Sequence, residues 1–176
     1  SATLMNKGLE LIEARWLFDV PMDRLQVVIH PEAVVHAIIE LIDGTCLAQL
    51  SACDMRLPIQ YALGFPERWP SAAPRLDITR LGSLSFAPPN LEEFPCLRLA
   101  LDAAAAGGTA CAVLNAANDV AVRAYLADQA AFGDIPRIID TVLRQHAPTT
   151  HPTLEDVVAV DRWARAAAAE MIHQPA

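Results

Sequence analysis

Basic charge is scarce in this sequence. Against 21 Asp and Glu, its 176 residues hold only 13 Lys and Arg, a formal net charge of -8. Nucleic-acid binders usually carry a basic face, so the balance gives that function no support and any anion site must be local. Cysteine is also sparse. Cys46, Cys53, Cys96 and Cys111 show no close CxxC spacing and lie in apolar or helical contexts, so they read as reduced, mostly buried thiols and not as a zinc site or a disulfide framework. No apolar run reaches the length of a membrane span, and the start lacks the basic, apolar and small-residue segments of a signal peptide. A soluble, cytoplasmic protein with no membrane partner is expected. No initiator Met precedes Ser1, which opens directly onto a functional-looking helix, and this suggests a fragment. What is present is 53% hydrophobic and 19% charged, the composition of a chain that builds a core. The length allows one domain or two small ones.

Residues 1–18, SATLMNKGLELIEARWLF, organise the rest. At about 100° per residue, Met5, Leu9, Ile12 and Trp16 share a stripe, which predicts an amphipathic helix with one buried face. Thr3, Asn6, Glu10 and Glu13 share a neighbouring face, with Lys7 between it and solvent. Hydroxyl, amide and ammonium groups near a helix start can hold a phosphate, because unpaired N–H groups and the helix dipole favour an anion there. Ser1, Thr3, Asn6 and Lys7 are the candidate donors. Glu10, one turn on, is a hard oxygen ligand suited to Mg2+ or Mn2+, yet one carboxylate does not make a metal site. Spacing alone favours a solvated face with an ordinary Lys7–Glu10 ion pair.

Asp19-Val20-Pro21 ends that pattern, and residues 25–29 form a short β-rich run closed by His30-Pro31. From Val34 the chain alternates, with His36, Ile38, Glu40 and Ile42 on one face and Val35, Ala37, Ile39 and Leu41 on the other. Asp43-Gly44 predicts a tight primed turn returning residues 45–50 antiparallel. A sheet packed on the first helix is the simplest way to bury both apolar faces. His30 and His36 read as structural histidines, with His36 an accessory residue if the sheet borders a cleft. Asp54 is placed to cap a helix that tolerates Pro58 only near its first turn. Residues 65–95 are punctuated by six prolines and read as a stiff connector, in which residues 76–86 can still form a strand.

Helical patterns follow over residues 95–106, stopped by Gly107-Gly108, then 110–127, 134–145 behind Asp134, and 153–172 behind a Thr153/Asp156 capping box. Asn115 and Asn118 within the second of these read as packing residues. The expected fold class is an α/β (α+β) catalytic portion with a β-hairpin sheet over 1–64. A proline-rich linker over 65–94 and an all-α four-helix bundle over 95–176 complete it.

Five runs carry a resemblance: SATLMNKGLELIEARWLF, VVIHPEAVVHAIIELIDGTCLAQL, DMRLPIQYALGFPERW, FPCLRLALDA and GGTACAVLNAANDVAV. In order and nearly end to end, they resemble the C-terminal part of the 1-deoxy-D-xylulose 5-phosphate reductoisomerase family. The resemblance implies an NADPH-binding domain and two further acidic metal ligands upstream of Ser1. It implies rearrangement and NADPH-dependent reduction of 1-deoxy-D-xylulose 5-phosphate to 2-C-methyl-D-erythritol 4-phosphate with Mg2+ or Mn2+. Lys7 and Glu10 become the catalytic pair, Ser1, Asn6, Lys7 and Glu10 the substrate-binding set, Glu10 the metal ligand, and Met55 of the DMR segment the residue against the nicotinamide ring. Cys53 stands where the family commonly has Pro. The resemblance also implies a cytoplasmic homodimer, and a fragment that is inactive alone. The competing class is a non-catalytic helical interaction or dimerisation module whose polar helix face is merely solvated.

Overall fold

A computed structural model describes residues 2–172. Helices predominate: α1 (Met5–Phe18), α2 (Arg56–Gly64), α3 (Pro95–Ala106), α4 (Ala110–Leu126), α5 (Asp134–Arg144) and α6 (Leu154–Ile172), with two strands, β1 (Val35–Glu40) and β2 (Cys46–Leu50). Single 3-10 turns occur at Met22–Arg24 and Ile78–Arg80. Contacts divide the chain into two compact units, Ser1–Val27 with Pro89–Ala176, and Val28–Pro88.

The first unit is helical. Its core is filled by Leu97 of α3, Val113 and Leu114 of α4, and Ile138, Ile139 and Val142 of α5, all sealed from solvent. Alanines line α4 where it meets its neighbours: Ala116, Ala117 and Ala121 are buried, as are Ala164 and Ala168 of α6. Such small side chains let helix axes approach closely. Pro95 opens α3 and Gly107, at φ 69, closes it. The capping box is reciprocal. Thr153 N–H donates to Asp156 Oδ2 at 2.9 Å and Asp156 N–H to Thr153 Oγ1 at 3.2 Å. Asp134 works differently from a cap, since it is the first helical residue and its carboxylate accepts from Ala131 N–H at 2.9 Å and from Arg137.

α1 belongs to this unit. It packs on α3. Gly8 permits this, because an added Cβ would collide with Ala100 Cβ and a bare backbone lets the helices touch. Met5, Leu11 and Ile12 are buried and Leu9 half-buried, whereas Trp16 is 71% exposed. The stripe therefore turns inward at Gly8 and Leu11 and releases Trp16, over which Arg15 lies at 5.8 Å from the ring centroid. Arg15 also donates to Ala104 O of α3 at 3.3 Å.

The second unit holds the hairpin. β1 and β2 pair antiparallel, with Ile39 opposite Leu47 and Ile38 opposite Ala48, and a register shift between Val35 and Ala37 leaves His36 as the extra residue of a bulge. The turn is one residue longer than expected. Leu41 N–H donates to Thr45 O and Gly44 N–H to Leu41 O, so Ile42, Asp43 and Gly44 form a three-residue loop with Gly44 at φ 83. That is the other common hairpin solution, a turn completed by a left-handed glycine. Residues 28–30 and 85–87 close the unit at its stem. Ile29 and Ala87 exchange backbone hydrogen bonds at 2.7 and 3.0 Å, and the His30 ring stacks on Phe86 at 4.7 Å. Most of the proline-rich run thus lies inside this unit, where Gln60 Nε2 donates to Trp69 O and Pro70 O and Ala73 is buried. Thiol burial is divided: Cys96 is buried and Cys111 partly so, but Cys46 and Cys53 are exposed.

Candidate functional site

The residues singled out in the first unit lie on the first two turns of α1. Met5 and Gly8 fix the helix by burial, which turns Asn6, Lys7 and Glu10 outward. Lys7 Nζ and Glu10 Oε2 are 2.7 Å apart, each side chain 48% exposed. An exposed i,i+3 pair contributes only about 0.2–0.5 kcal/mol, so neither charge is committed to the other. An incoming phosphate can take the ammonium and a cation the carboxylate at little cost.

The start of the helix is unusual. Thr3 Oγ1 accepts from Met5 N–H at 3.3 Å, while Lys7 N–H and Gly8 N–H both donate to Leu4 O. Leu4, in the N-cap position, has φ 55 and ψ 10, a left-handed conformation. Nothing in the sequence announces this, because left-handed backbone is ordinarily signalled by Gly or Asn. Ser1 lies outside the described residues.

Met55 belongs to the second unit, beside α2, and is 69% exposed. Asp54 shapes this segment: its Oδ1 accepts from Arg56 N–H at 2.9 Å, satisfying a free donor at the helix start, and both carboxylate oxygens bind the Arg56 side chain. The Arg56 guanidinium, followed by the Arg56 backbone N–H, holds the Asp54 carboxyl down at about 2. Asp54 therefore stays ionised and the loop presenting Met55 stays latched.

The two histidines make structural contacts. Nε2–H of His36 donates to Ser51 O at 3.1 Å, tying the bulge to the end of β2. Nδ1 of His30 lies 2.9 Å from Ser85 O and 3.0 Å from Glu32 Oε2. Both neighbours are acceptors, so Nδ1 carries the proton. Glu32 also accepts from Ser85 N–H, and its own backbone N–H, then Ser85, lowers its carboxyl below the usual range. Asn118 lies half-buried in α4, with its Oδ1 shielded and without a hydrogen-bond partner.

Among the described residues no three His, Cys, Asp or Glu side chains gather to hold a metal ion. The donor set at α1 suits an oxygen-seeking divalent ion in kind, through the exposed carboxylate of Glu10, but supplies one ligand where such ions take six or more. The exposed thioether of Met55 is apolar and polarisable, suited to lie on a flat heteroaromatic ring.

Comparison with known proteins identifies the family. A family model described as the DXP reductoisomerase C-terminal domain matches residues 50–167, and the chain belongs to that family. A 1-deoxy-D-xylulose 5-phosphate reductoisomerase of Chlorobium phaeobacteroides (strain BS1) is 54% identical over 171 residues, which are 97% of this chain and 45% of the relative. The solved 1-deoxy-D-xylulose 5-phosphate reductoisomerase from Zymomonas mobilis in complex with NADPH superposes with a TM-score of 0.91 at 43% identity, covering 99% of this chain and 46% of that one. A DOX-P reductoisomerase in complex with NADPH, fosmidomycin and magnesium gives a TM-score of 0.87 at 44% identity, covering 97% and 44%. This chain thus spans a little under half the length of the relatives it matches.

Proposed function

We propose that this chain supplies the C-terminal part of an NADPH- and divalent-metal-dependent enzyme that rearranges and reduces 1-deoxy-D-xylulose 5-phosphate to 2-C-methyl-D-erythritol 4-phosphate, a step of non-mevalonate isoprenoid biosynthesis. The observation that carries the proposal is the likeness of 97% of this chain to reductoisomerases, in which Lys7 and Glu10 stand together, half-exposed, on adjacent turns of α1. A non-catalytic module would place no demand on that pair.

The chain's own residues bind and orient. Asn6 and Lys7, with Ser1, hold the substrate by its phosphate and hydroxyl oxygens, which aligns the reacting carbons and removes much of the entropic barrier. Lys7 also offsets charge developing on substrate oxygen. Glu10 would give one oxygen ligand to Mg2+ or Mn2+, which would supply Lewis acidity toward substrate oxygens. Met55 would offer an apolar surface to the nicotinamide of NADPH, which would supply the hydride. The remaining metal ligands and the dinucleotide site belong to the upstream portion that the relatives' greater length contains.

Two further proposals concern assembly and place. The full-length protein is a homodimer: the hairpin exposes Ile39 and Leu47 as a cross-strand pair, and two-stranded sheets are marginal unless covered. It resides in the cytoplasm, where four unpaired thiols suit the reducing milieu. In functional terms residues 1–64 serve catalysis, the proline-rich run 65–94 connects them onward, and residues 95–176 give structural support.

The test is made in the chain joined to the upstream portion of its relatives. Lys7→Ala raises KM for the phosphorylated substrate and lowers kcat by about 100-fold or more, and Glu10→Gln shifts the Mg2+ requirement to higher concentration. Full activity of either variant with normal metal dependence rules the proposal out.

A further inference from the structure

Among the described residues, four other than glycine have positive φ: Leu4, Asp19, Ala33 and Asp128. Asp19 follows α1 and Asp128 lies just beyond α4, so both sit at helix C-termini. Aspartate tolerates the left-handed conformation and a helix end calls for it, so neither needs explanation. Leu4 is the reverse case. It stands at a helix N-cap, where the backbone is normally extended and the residue a Ser, Thr, Asp or Asn, and its side chain makes no capping bond. A γ-branched residue held at φ 55 and ψ 10 is backbone strain that the surroundings must maintain.

The contacts around Leu4 show what maintains it and what it does. On one side, buried Met5 and Gly8 against Ala100 fix α1 on α3, so the helix cannot rotate to relieve the strain. On the other, Ala2 and Thr3 form a turn, and Thr3 returns its hydroxyl to the first helical N–H. An extended residue at position 4 would lead the preceding chain away from the helix end. The left-handed one turns it back, so that Thr3 Oγ1 meets Met5 N–H at the start of the turn that presents Asn6 and Lys7. Leu4 O, meanwhile, takes both Lys7 N–H and Gly8 N–H, tightening that turn.

We propose that Leu4 is a positioning residue for phosphate binding: its left-handed backbone gathers the Thr3 hydroxyl, the Asn6 amide and the Lys7 ammonium around one anion. This deepens, and rests on, the substrate site proposed above. Leu4 touches neither substrate nor metal. Its backbone conformation is the functional quantity, so residue types that tolerate positive φ preserve the site and those that resist it do not.

The experiment measures steady-state kinetics of the full-length enzyme carrying Leu4→Val or Leu4→Asn, with Lys7→Ala in parallel. Valine resists the left-handed region most strongly, and Leu4→Val raises KM for 1-deoxy-D-xylulose 5-phosphate by roughly 10-fold or more, with KM for NADPH unchanged. Asparagine adopts the region readily, and Leu4→Asn stays within about 3-fold of the parent. A folded Leu4→Val enzyme with unaltered substrate KM, or a Leu4→Asn enzyme as impaired as Leu4→Val, overturns the inference. Should Leu4→Val not fold, Leu4→Asn decides alone, since a KM raised well beyond 3-fold shows that the leucine side chain and not the backbone matters. If Lys7→Ala leaves KM for the substrate untouched, the site itself is misassigned. A large Lys7→Ala effect beside a silent Leu4→Val defeats only the role of Leu4.

Discussion

At Gly8 two opposing effects of one methyl group can be weighed. Alanine in place of a helical glycine gains about 1 kcal/mol of backbone propensity. Here that methyl would collide with Ala100 Cβ, which is anchored to the α3 backbone and cannot swing aside. Overpacking of this kind costs about 1–3 kcal/mol, so Gly8→Ala lowers the urea midpoint, and thermal melts shift downward with it. A second residue-scale device joins the start of α4 to the end of α5. Thr109, fully buried, accepts from Thr149 N–H and shares a 2.7 Å hydrogen bond with His146 Nε2. The Thr109 hydroxyl can donate to Nε2 of a neutral ring, a bond that protonation of His146 breaks. Burial likewise pushes the His146 pKa below its ordinary 6.5. The unfolded chain takes up that proton near pH 6.5 while the folded one resists until lower pH, so stability present above about 6.5 is lost as pH falls beneath it. Urea titrations from pH 7 to 5 show this slope, and His146→Gln, which keeps an acceptor, flattens it. Neither feature was legible in the sequence. A glycine within a helical pattern does not name its neighbour, and Thr109 and His146 are 37 residues apart with no motif to link them.

The elements themselves were largely written in local chemistry. Pro95 and the Gly107-Gly108 pair bracket α3, and Thr153 with Asp156 starts α6, because φ restriction, a missing N–H and a side-chain acceptor act within a turn of where they stand. What stayed hidden was which element meets which. Periodicity gave α1 an apolar stripe without naming what covers it; a single glycine facing an alanine fits the helix to α3. Trp16 misled for a related reason, since a large apolar residue on the expected stripe ended outside once the helix rotated toward Gly8 and Leu11. The hairpin carries the element-scale prediction. Ile39 and Leu47 pair across the strands and are 61% and 56% exposed, so charging both, as Ile39→Lys with Leu47→Lys, leaves helical circular dichroism unchanged. In the full-length protein the same pair of changes converts the proposed dimer to monomer, as read by light scattering. A dimer that survives both charges assigns its interface elsewhere.

For the molecule as a whole, the catalytic reading came from a resemblance spread over five runs and not from any one spacing. Lys7 and Glu10 at i,i+3 fit a surface ion pair as well as a site, and the observed 2.7 Å contact fits both. One carboxylate cannot hold the metal, so the isolated 176-residue chain oxidises no NADPH in the presence of substrate and Mg2+, and restoring the upstream portion recovers turnover. A spectrophotometric assay of the two forms checks this.

The stem of the second unit has its own bearing on engineering. Because Ile29 and Ala87 exchange hydrogen bonds, the polypeptide leaves the helices and comes back through neighbouring backbone positions, and the 57 intervening residues form an excursion hanging on two adjacent threads. Excursions of this kind can be shortened where their ends already meet. Joining the threads through a brief glycine-containing turn yields a miniaturised all-helical protein that still melts cooperatively, a scaffold on which the α1 end alone can be offered to phosphate.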